Sequence, residues 1–297
     1  MTYSIVARDP ATGELGGAVQ SRWFAVGAVV LWAEPGTGVV ATQSFAEIAH
    51  GPNGLALLRA GRSPSDALAE LMAADAGEAV RQVGIAAADG RSAVHSGARC
   101  VRAAGHVTAR NVACQANMME RATVWPAMLA AFEESPGDLA DRLMAALRAA
   151  EAEGGDVRGR QSAALLVVPG HAGAPAWERR FDLAVDDARD PLGELERLLR
   201  VARGYEAFEA ATTRAEAGAV AEALEQFERA RALAPGDDQI ALWHALCLAV
   251  AGRLAEGRVV LAVVQAAEPR AGEYLRRFAA AGHADWAARA MEELLAA

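Results

Sequence analysis

Strand-like and helix-like segments alternate in blocks, not singly, along the first two hundred residues of this 297-residue chain. Runs at Tyr3–Arg8, Leu15–Gln20, Val26–Ala33 and Gly38–Thr42 read as strands. Their turns, Asp9-Pro10-Ala11-Thr12-Gly13 and Glu34-Pro35-Gly36-Thr37, carry Pro and Gly where turns use them. A helix is expected from Pro52 to Ala60, and a second after Ser63-Pro64-Ser65-Asp66, where a serine cap, a proline and an acid mark a helix start. Gln82–Ala88 and Arg91–His95 flank Asp89-Gly90, a two-residue hairpin turn, and strands are expected at Val101–Val107 and Asn111–Gln115. A second helix pair, Met118–Glu133 and Asp138–Glu151, precedes strands at Ser162–Val168 and Trp177–Val185. Strand blocks separated by helix pairs are not a series of βαβ crossovers. They predict an α+β sandwich over residues 1–200, with stacked sheets covered by helices.

From Pro191 onward the pattern is helical only. Ala223, Phe227, Ala230 and Pro235 sit at the spacings of a 34-residue helical repeat. Pro269 follows Pro235 at that period, Leu261 and Val264 take the places of Phe227 and Ala230, and Gly257 that of Ala223. Residues 201–297 are therefore expected to form an all-α domain that resembles tetratricopeptide (TPR) repeats. Such units bury their faces only against neighbours, so the tail should pack on the first domain or, in a homo-oligomer, on another subunit. It also offers a surface to a protein partner.

Composition excludes several functions. The chain has 29 basic and 38 acidic residues, and every basic one is arginine. An acidic chain repels phosphate backbones, which argues against nucleic-acid binding. Without lysine there is no Walker A loop, Schiff-base amine or lysine general base. Cys100, Cys114 and Cys247 are widely spaced and read as buried thiols in a reducing cytoplasm. The histidines lack metal-ligand spacing, so no metal or cofactor is expected. Gly36-Thr37-Gly38-Val39-Val40-Ala41 matches a dinucleotide fingerprint but precedes a strand, and reads as a turn. No apolar run reaches the ~18 residues a membrane span requires, and Arg8-Asp9 comes before any leader-like segment.

The N-terminus holds the most chemistry. Thr2 is small enough to permit removal of Met1, which would leave a free α-amine beside a hydroxyl. Such an amine, with a pKa of about 7.7–8.0, can act as base for its own side chain. Hairpin register places Thr2 opposite Ser21 with Arg22 just beyond, and a second hairpin pairs Gln43 with about Ala28. Thr2, Ser21, Arg22, Gln43 and Ser44 then share one rim, as a site or as solvated strand ends. In Gly154-Gly155-Asp156-Val157-Arg158-Gly159-Arg160-Gln161, the ions Asp156, Arg158 and Arg160 either pair among themselves or leave Arg160 to bind a substrate carboxylate. Gln161 adjoins them. Gln115 and Asn117 supply amide donors, either to an oxyanion or as a helix cap. Ser162 and Cys114 are alternative nucleophiles.

The residues Thr2–Asp9, Ala18-Val19-Gln20-Ser21, Phe24–Gly27, Ala41-Thr42-Gln43, Gly51-Pro52, Gln115–Met118, Gly154–Leu166, Val185-Asp186-Asp187 and Asp190-Pro191 resemble a bacterial family, domain of unknown function 1028. The resemblance covers roughly residues 2–200. It implies a fold similar to the N-terminal nucleophile (Ntn) hydrolases, a four-layer αββα sandwich whose first mature residue is Thr, Ser or Cys; Thr2 matches that slot. The lysine that proteasome-like members set beside the nucleophile has no counterpart, and Arg22 or Arg160 can bind anions but not relay protons. Two functions remain open. One is an amidohydrolase cleaving a small amide through Thr2. The other is a non-catalytic ligand-binding or scaffold protein whose tail recruits a partner.

Overall fold

The computed structural model describes residues 2–296. Strand β1 (Thr2–Arg8) turns back into β2 (Leu15–Ser21), and the Asp9 carboxylate accepts the Ala11 N–H at 2.7 Å inside that turn. The remaining strands are β3 (Leu31–Glu34), β4 (Gly38–Ser44), β5 (Arg81–Ala87), β6 (Ser92–Ser96), β7 (Gly105–Ala109), β8 (Val112–Ala116), β9 (Ser162–Val168) and β10 (Phe181–Val185). They form two antiparallel sheets, one of six strands in the order β10-β9-β2-β1-β8-β7 and one of four in the order β3-β4-β5-β6. The sheets meet face to face. Val6, Leu15 and Val19 of one pack with Leu31, Val39 and Ala41 of the other in a buried apolar seam.

Helices cover the outer faces. After the single turn α1 (Gly27–Val30), helices α2 (His50–Arg59) and α3 (Pro64–Ala73) lay Leu55, Leu68 and Leu71 on Val40, Val83 and Ile85 of the four-stranded sheet. Helix α3 starts as its sequence dictates, with the Ser63 hydroxyl accepting the Asp66 N–H at 3.1 Å. On the six-stranded sheet, α4 (Val124–Glu134) covers β7 and β8, while α5 (Leu139–Ala152) covers β1 and β2. Leu139, Leu143, Leu147 and Ala150 make the buried stripe of α5, which opens with a capping box between Asp138 and Asp141.

Three expectations are corrected. Val26–Val30 is not strand: Ala25 N–H goes to the Asp186 carbonyl and Val26 N–H to the Ser162 hydroxyl, so the backbone is tied sideways and coils into α1. Its valines are apolar because they fill the seam, not because they extend a sheet. Gln43 consequently does not pair near Ala28; Leu31 pairs with Ala41, and Gln43 pairs with Gln82 on β5. No helix begins at Met118, which has a left-handed φ of 59° and bonds Val101, so Gln115 and Asn117 cap nothing. Strands β7 and β10 and helix α4 likewise start four to six residues later than their apolar runs suggested.

The chain divides into two compact units between Arg197 and Leu198, within α6 (Pro191–Glu216). The second unit continues with α7 (Val220–Leu233), α8 (Asp238–Val250), α9 (Leu254–Ala267), α10 (Ala271–Ala280) and α11 (Ala288–Leu295). Helix α8 is buried at every position from Ile240 to Ala249, so it is central, with α7, α9 and α11 against it. Among the described residues, no helix is long and apolar enough to cross a membrane.

Candidate functional site

Antiparallel register brings three polar side chains into one row at an end of the six-stranded sheet. Thr2 lies opposite Ser21 on one side, and on the other it exchanges backbone hydrogen bonds with Asn117, at 3.3 and 3.1 Å. Because side chains alternate along a strand, Thr2 and Ser4 share the seam face of β1, whereas Tyr3 turns back onto α5 and donates to Glu151 at 2.6 Å. The Thr2 hydroxyl donates to the Ser21 hydroxyl at 3.0 Å. Thr2 is only 3% exposed, and Ser21 and Asn117 are fully buried.

The facing sheet answers with amides. Gln43 Nε2 donates to the Thr2 carbonyl at 3.1 Å and to Gln82 Oε1 at 2.7 Å, and its own Oε1 accepts from Ser4 at 2.7 Å. Asn117 Nδ2 donates to the same Gln82 oxygen at 2.9 Å and reaches the Thr2 carbonyl at 3.4 Å. Gln115 Nε2 crosses the seam to the Ala41 carbonyl at 2.9 Å. An amide in an otherwise apolar seam costs stability unless it is paired, and every amide nitrogen of this group is paired. The Gln115 oxygen rests instead against Gly84, where a Cβ would approach it to 3.2 Å. Asn117 Oδ1 and the Ser44 hydroxyl are buried with no partner among the described residues.

Backbone strain collects at the same end. Ala25, Ser44 and Met118 have φ of 50°, 71° and 59°. Ser44 is the last residue of β4, and Ala25 and Met118 lie four and two residues beyond the ends of β2 and β8; each such non-glycine residue costs about 1–3 kcal/mol. The loops around Ala25 and Ser44 carry Trp23, Phe24, Phe45 and Ile48, and the loop after α5 carries Val157, all largely exposed. Those loops are fastened from beneath. The Ser162 hydroxyl donates to the Trp23 carbonyl, and Arg81 Nη1 donates to the Phe45 carbonyl at 2.6 Å. Arg81 is held by Asp75 at 2.7 Å, and its hydrogen bond keeps the Asp75 carboxyl well below the usual carboxylate range; His50 completes the group at 2.9 Å.

Of the residues expected at the site, Thr2, Ser21, Gln43 and Asn117 come together as described, whereas Ser44 ends β4 opposite Arg81. Asp156 is buried nearby, accepting the Arg22 backbone N–H at 3.3 Å and pairing with Arg158 at 2.7 Å. Arg160 does not join that pair. It lies 3.6 Å from Glu151 and 3.5 Å from Asp190, on the Tyr3 side of the sheet and away from the Thr2 side chain. Gln161 serves the framework, its N–H on the Ser21 carbonyl at 3.1 Å and its amide on Asp187 at 3.1 Å. Burial pushes the Cys114 thiol far up and leaves it inert, and Ser162 is occupied in fastening a loop. Among the described residues no cluster of His, Cys, Asp and Glu forms a metal site. Met1, whose removal is expected, lies outside the described residues.

Gln82 and Ser4 are missing from the sequence reading. The available signal was parity: each is polar at a seam-facing position, and the next seam position along its strand is apolar, Val6 after Ser4 and Gly84 after Gln82.

Two face-to-face antiparallel sheets, helices on both outer faces and a polar row at the first residue of β1 define an α+β protein built around its own N-terminal strand. A family model described as a family of unknown function, DUF1028, matches residues 2–195, and the chain belongs to that family. A solved structure, protein SPO2555 from Silicibacter pomeroyi, likewise of DUF1028, is similar. It is 34% identical with a TM-score of 0.61, over 67% of this chain and 88% of that one. No functionally curated protein matches the chain.

Proposed function

We propose that this chain is an amidohydrolase of the N-terminal nucleophile type, acting on a small amide once Met1 has been removed. The observation that carries the reading is the setting of Thr2. It is the first residue of β1, it faces the seam, its hydroxyl is hydrogen-bonded, and strained residues Ala25, Ser44 and Met118 lie at or just beyond the ends of β2, β4 and β8. In this reading the layers are the αββα sandwich of the Ntn hydrolases. The Thr2 hydroxyl attacks the amide carbonyl while the α-amine takes its proton. The C–N bond then breaks as the leaving amine receives that proton, and water hydrolyses the resulting ester. Gln43 and Asn117 aim their N–H groups at the Thr2 carbonyl, so their part is to hold the nucleophile and not the oxyanion.

The helical region is read as TPR-like and as the docking element for a protein partner. Helices α7 and α9 start at Val220 and Leu254 and end at Leu233 and Ala267, thirty-four residues apart at both ends, which supports the repeat.

One observation favours the competing reading, a binding shell without turnover: Thr2 is 3% exposed in the chain that carries residue 1. Treatment of native protein with an alkynyl β-lactone separates the two. The amidohydrolase reading expects an intact mass lacking Met1 and an ester adduct mapped to Thr2, absent in Thr2→Ala. Retention of Met1 in the native cell, or no adduct on a chain that begins at Thr2, overturns it.

A further inference from the structure

Gln82 touches neither the Thr2 hydroxyl nor its nitrogen, yet it decides what surrounds both. Its Nε2 is committed to the Ser96 hydroxyl at 2.8 Å, the Ala116 carbonyl at 3.0 Å and the Gly105 carbonyl at 3.1 Å. These partners fix which way the amide faces, because a hydrogen-bearing nitrogen satisfies two carbonyls where an oxygen would face them in repulsion. Its Oε1 must then point into the seam, where it receives Gln43 at 2.7 Å and Asn117 at 2.9 Å. Both amides are thereby oriented with their N–H groups on the Thr2 carbonyl oxygen. That oxygen has three donors: Asn117 N–H at 3.1 Å, Gln43 Nε2 at 3.1 Å and Asn117 Nδ2 at 3.4 Å.

We infer that Gln82 is a positioning residue: through Gln43 and Asn117 it polarises the Thr2 carbonyl and so keeps the adjoining α-amine of the processed chain neutral and able to accept a proton. This rests on the reading of Thr2 as nucleophile. Three N–H dipoles directed at the carbonyl place their positive ends next to the amine, and positive potential disfavours the ammonium. One acceptor opposes them, the Asn117 carbonyl on Thr2 N at 3.3 Å. The ionised groups around the row come largely as pairs. Asp156 lies with Arg158 after α5, and Glu151 with Arg160 behind β1 beside Tyr3. Arg22 follows β2, and His106 bonds Ser96 at 2.9 Å at the far end of the Gln82 amide. All of these are common to the wild type and a Gln82 variant, so the difference between the two isolates the amide chain.

The sequence contains no lysine, so no side-chain amine titrates alongside the α-amine of Thr2. The test uses full-length chain labelled with [15N]threonine, with Met1 removed in the cell or by a methionine aminopeptidase. The Thr2 nitrogen shift, assigned by its loss in Thr2→Ser, is followed against pH. The expected midpoint is about 7 or lower, below the ~7.7–8.0 of a free α-amine. It should rise by about half a pH unit or more in Gln82→Met. Gln43→Met removes one donor directly and should shift the midpoint the same way, which covers the case in which Gln82→Met does not fold. A wild-type midpoint at or above 8, or variants that titrate as the wild type does, overturns the inference. A low, Gln82-dependent midpoint without β-lactone labelling of Thr2 leaves the inference standing and removes the amidohydrolase.

Discussion

Thr2 and Ser21 stand opposite each other on β1 and β2, and the hydroxyl of one donates to the hydroxyl of the other at 3.0 Å. Both are buried, so water cannot replace a lost partner. Ser21→Ala leaves the Thr2 hydroxyl without its acceptor. The expected cost is about 1 kcal/mol, read as a Tm lower by about 2–4 °C. An unchanged Tm would show that the pair contributes nothing to stability.

What the sequence disclosed about this site was local. The Asp9–Glu14 turn fixes β1 against β2, so the Thr2–Ser21 pairing followed from counting alone. The Gln43–Gln82 pairing did not, because it joins strands separated by two helices and no short turn specifies its register. Val26–Val30 misled because burial and strand propensity call for the same valines, and the Ser162 hydroxyl that ties the segment sideways lies far along the chain. Arg160 misled for a similar reason. Its place within a charged run suggested a partner in Asp156, whereas packing set it beside Glu151 and Asp190. The block order of strands and helices was legible because it is a property of segments. The amide cluster was not, because it is made by five separate stretches meeting across a seam.

The second unit should be acid-sensitive through one residue. Burial, with Arg231 adding to it, pushes the His244 pKa down to about 4. Its Nδ1 accepts from Arg231 at 3.4 Å while Nε2 is buried without a partner, and Glu228, Arg253 and Glu256 carry the other nearby charges. A folded value below the unfolded ~6.5 means that the unfolded chain binds the proton more readily. The stabilisation is therefore complete above pH ~6.5 and is lost as pH falls toward 4, by something on the order of 3 kcal/mol. Urea unfolding at pH 7 and pH 4.5 should show that loss in the wild type and a much smaller one in His244→Gln. Equal losses in both proteins would place the acid sensitivity elsewhere.

The thiols should be silent in the folded protein. Cys100, Cys114 and Cys247 are all buried and free, and burial pushes the Cys247 pKa up to about 11 and Cys114 higher still. Thiolate is the reactive form, so Ellman's reagent should find next to no thiol at pH 8 and all three after denaturation. Fast reaction of Cys114 in native protein would restore it as a candidate nucleophile.

Gly257 on α9 stands thirty-four residues after Ala223 on α7, and packing supplies the reason for a glycine there. On α9 a Cβ at position 257 would come within 2.7 Å of the Ala245 carbonyl oxygen of α8, so the two helices are too close for a methyl group. Exchanging glycine for alanine in a helix ordinarily stabilises it by about 0.5–1 kcal/mol. Here the clash is with backbone, which cannot swing aside as a side chain would, and overpacking of this kind costs about 1–3 kcal/mol. Gly257→Ala should therefore destabilise the helical unit, whereas Gly218→Ala tests the opposite limit. Gly218 has open space around it but a φ of 78°, so its cost is conformational and not steric. If packing governs position 257, Gly257→Ser should be at least as damaging as Gly257→Ala in thermal unfolding. A rise in Tm for Gly257→Ala would mean that α8 and α9 can separate at little cost and that the glycine is not required for their approach.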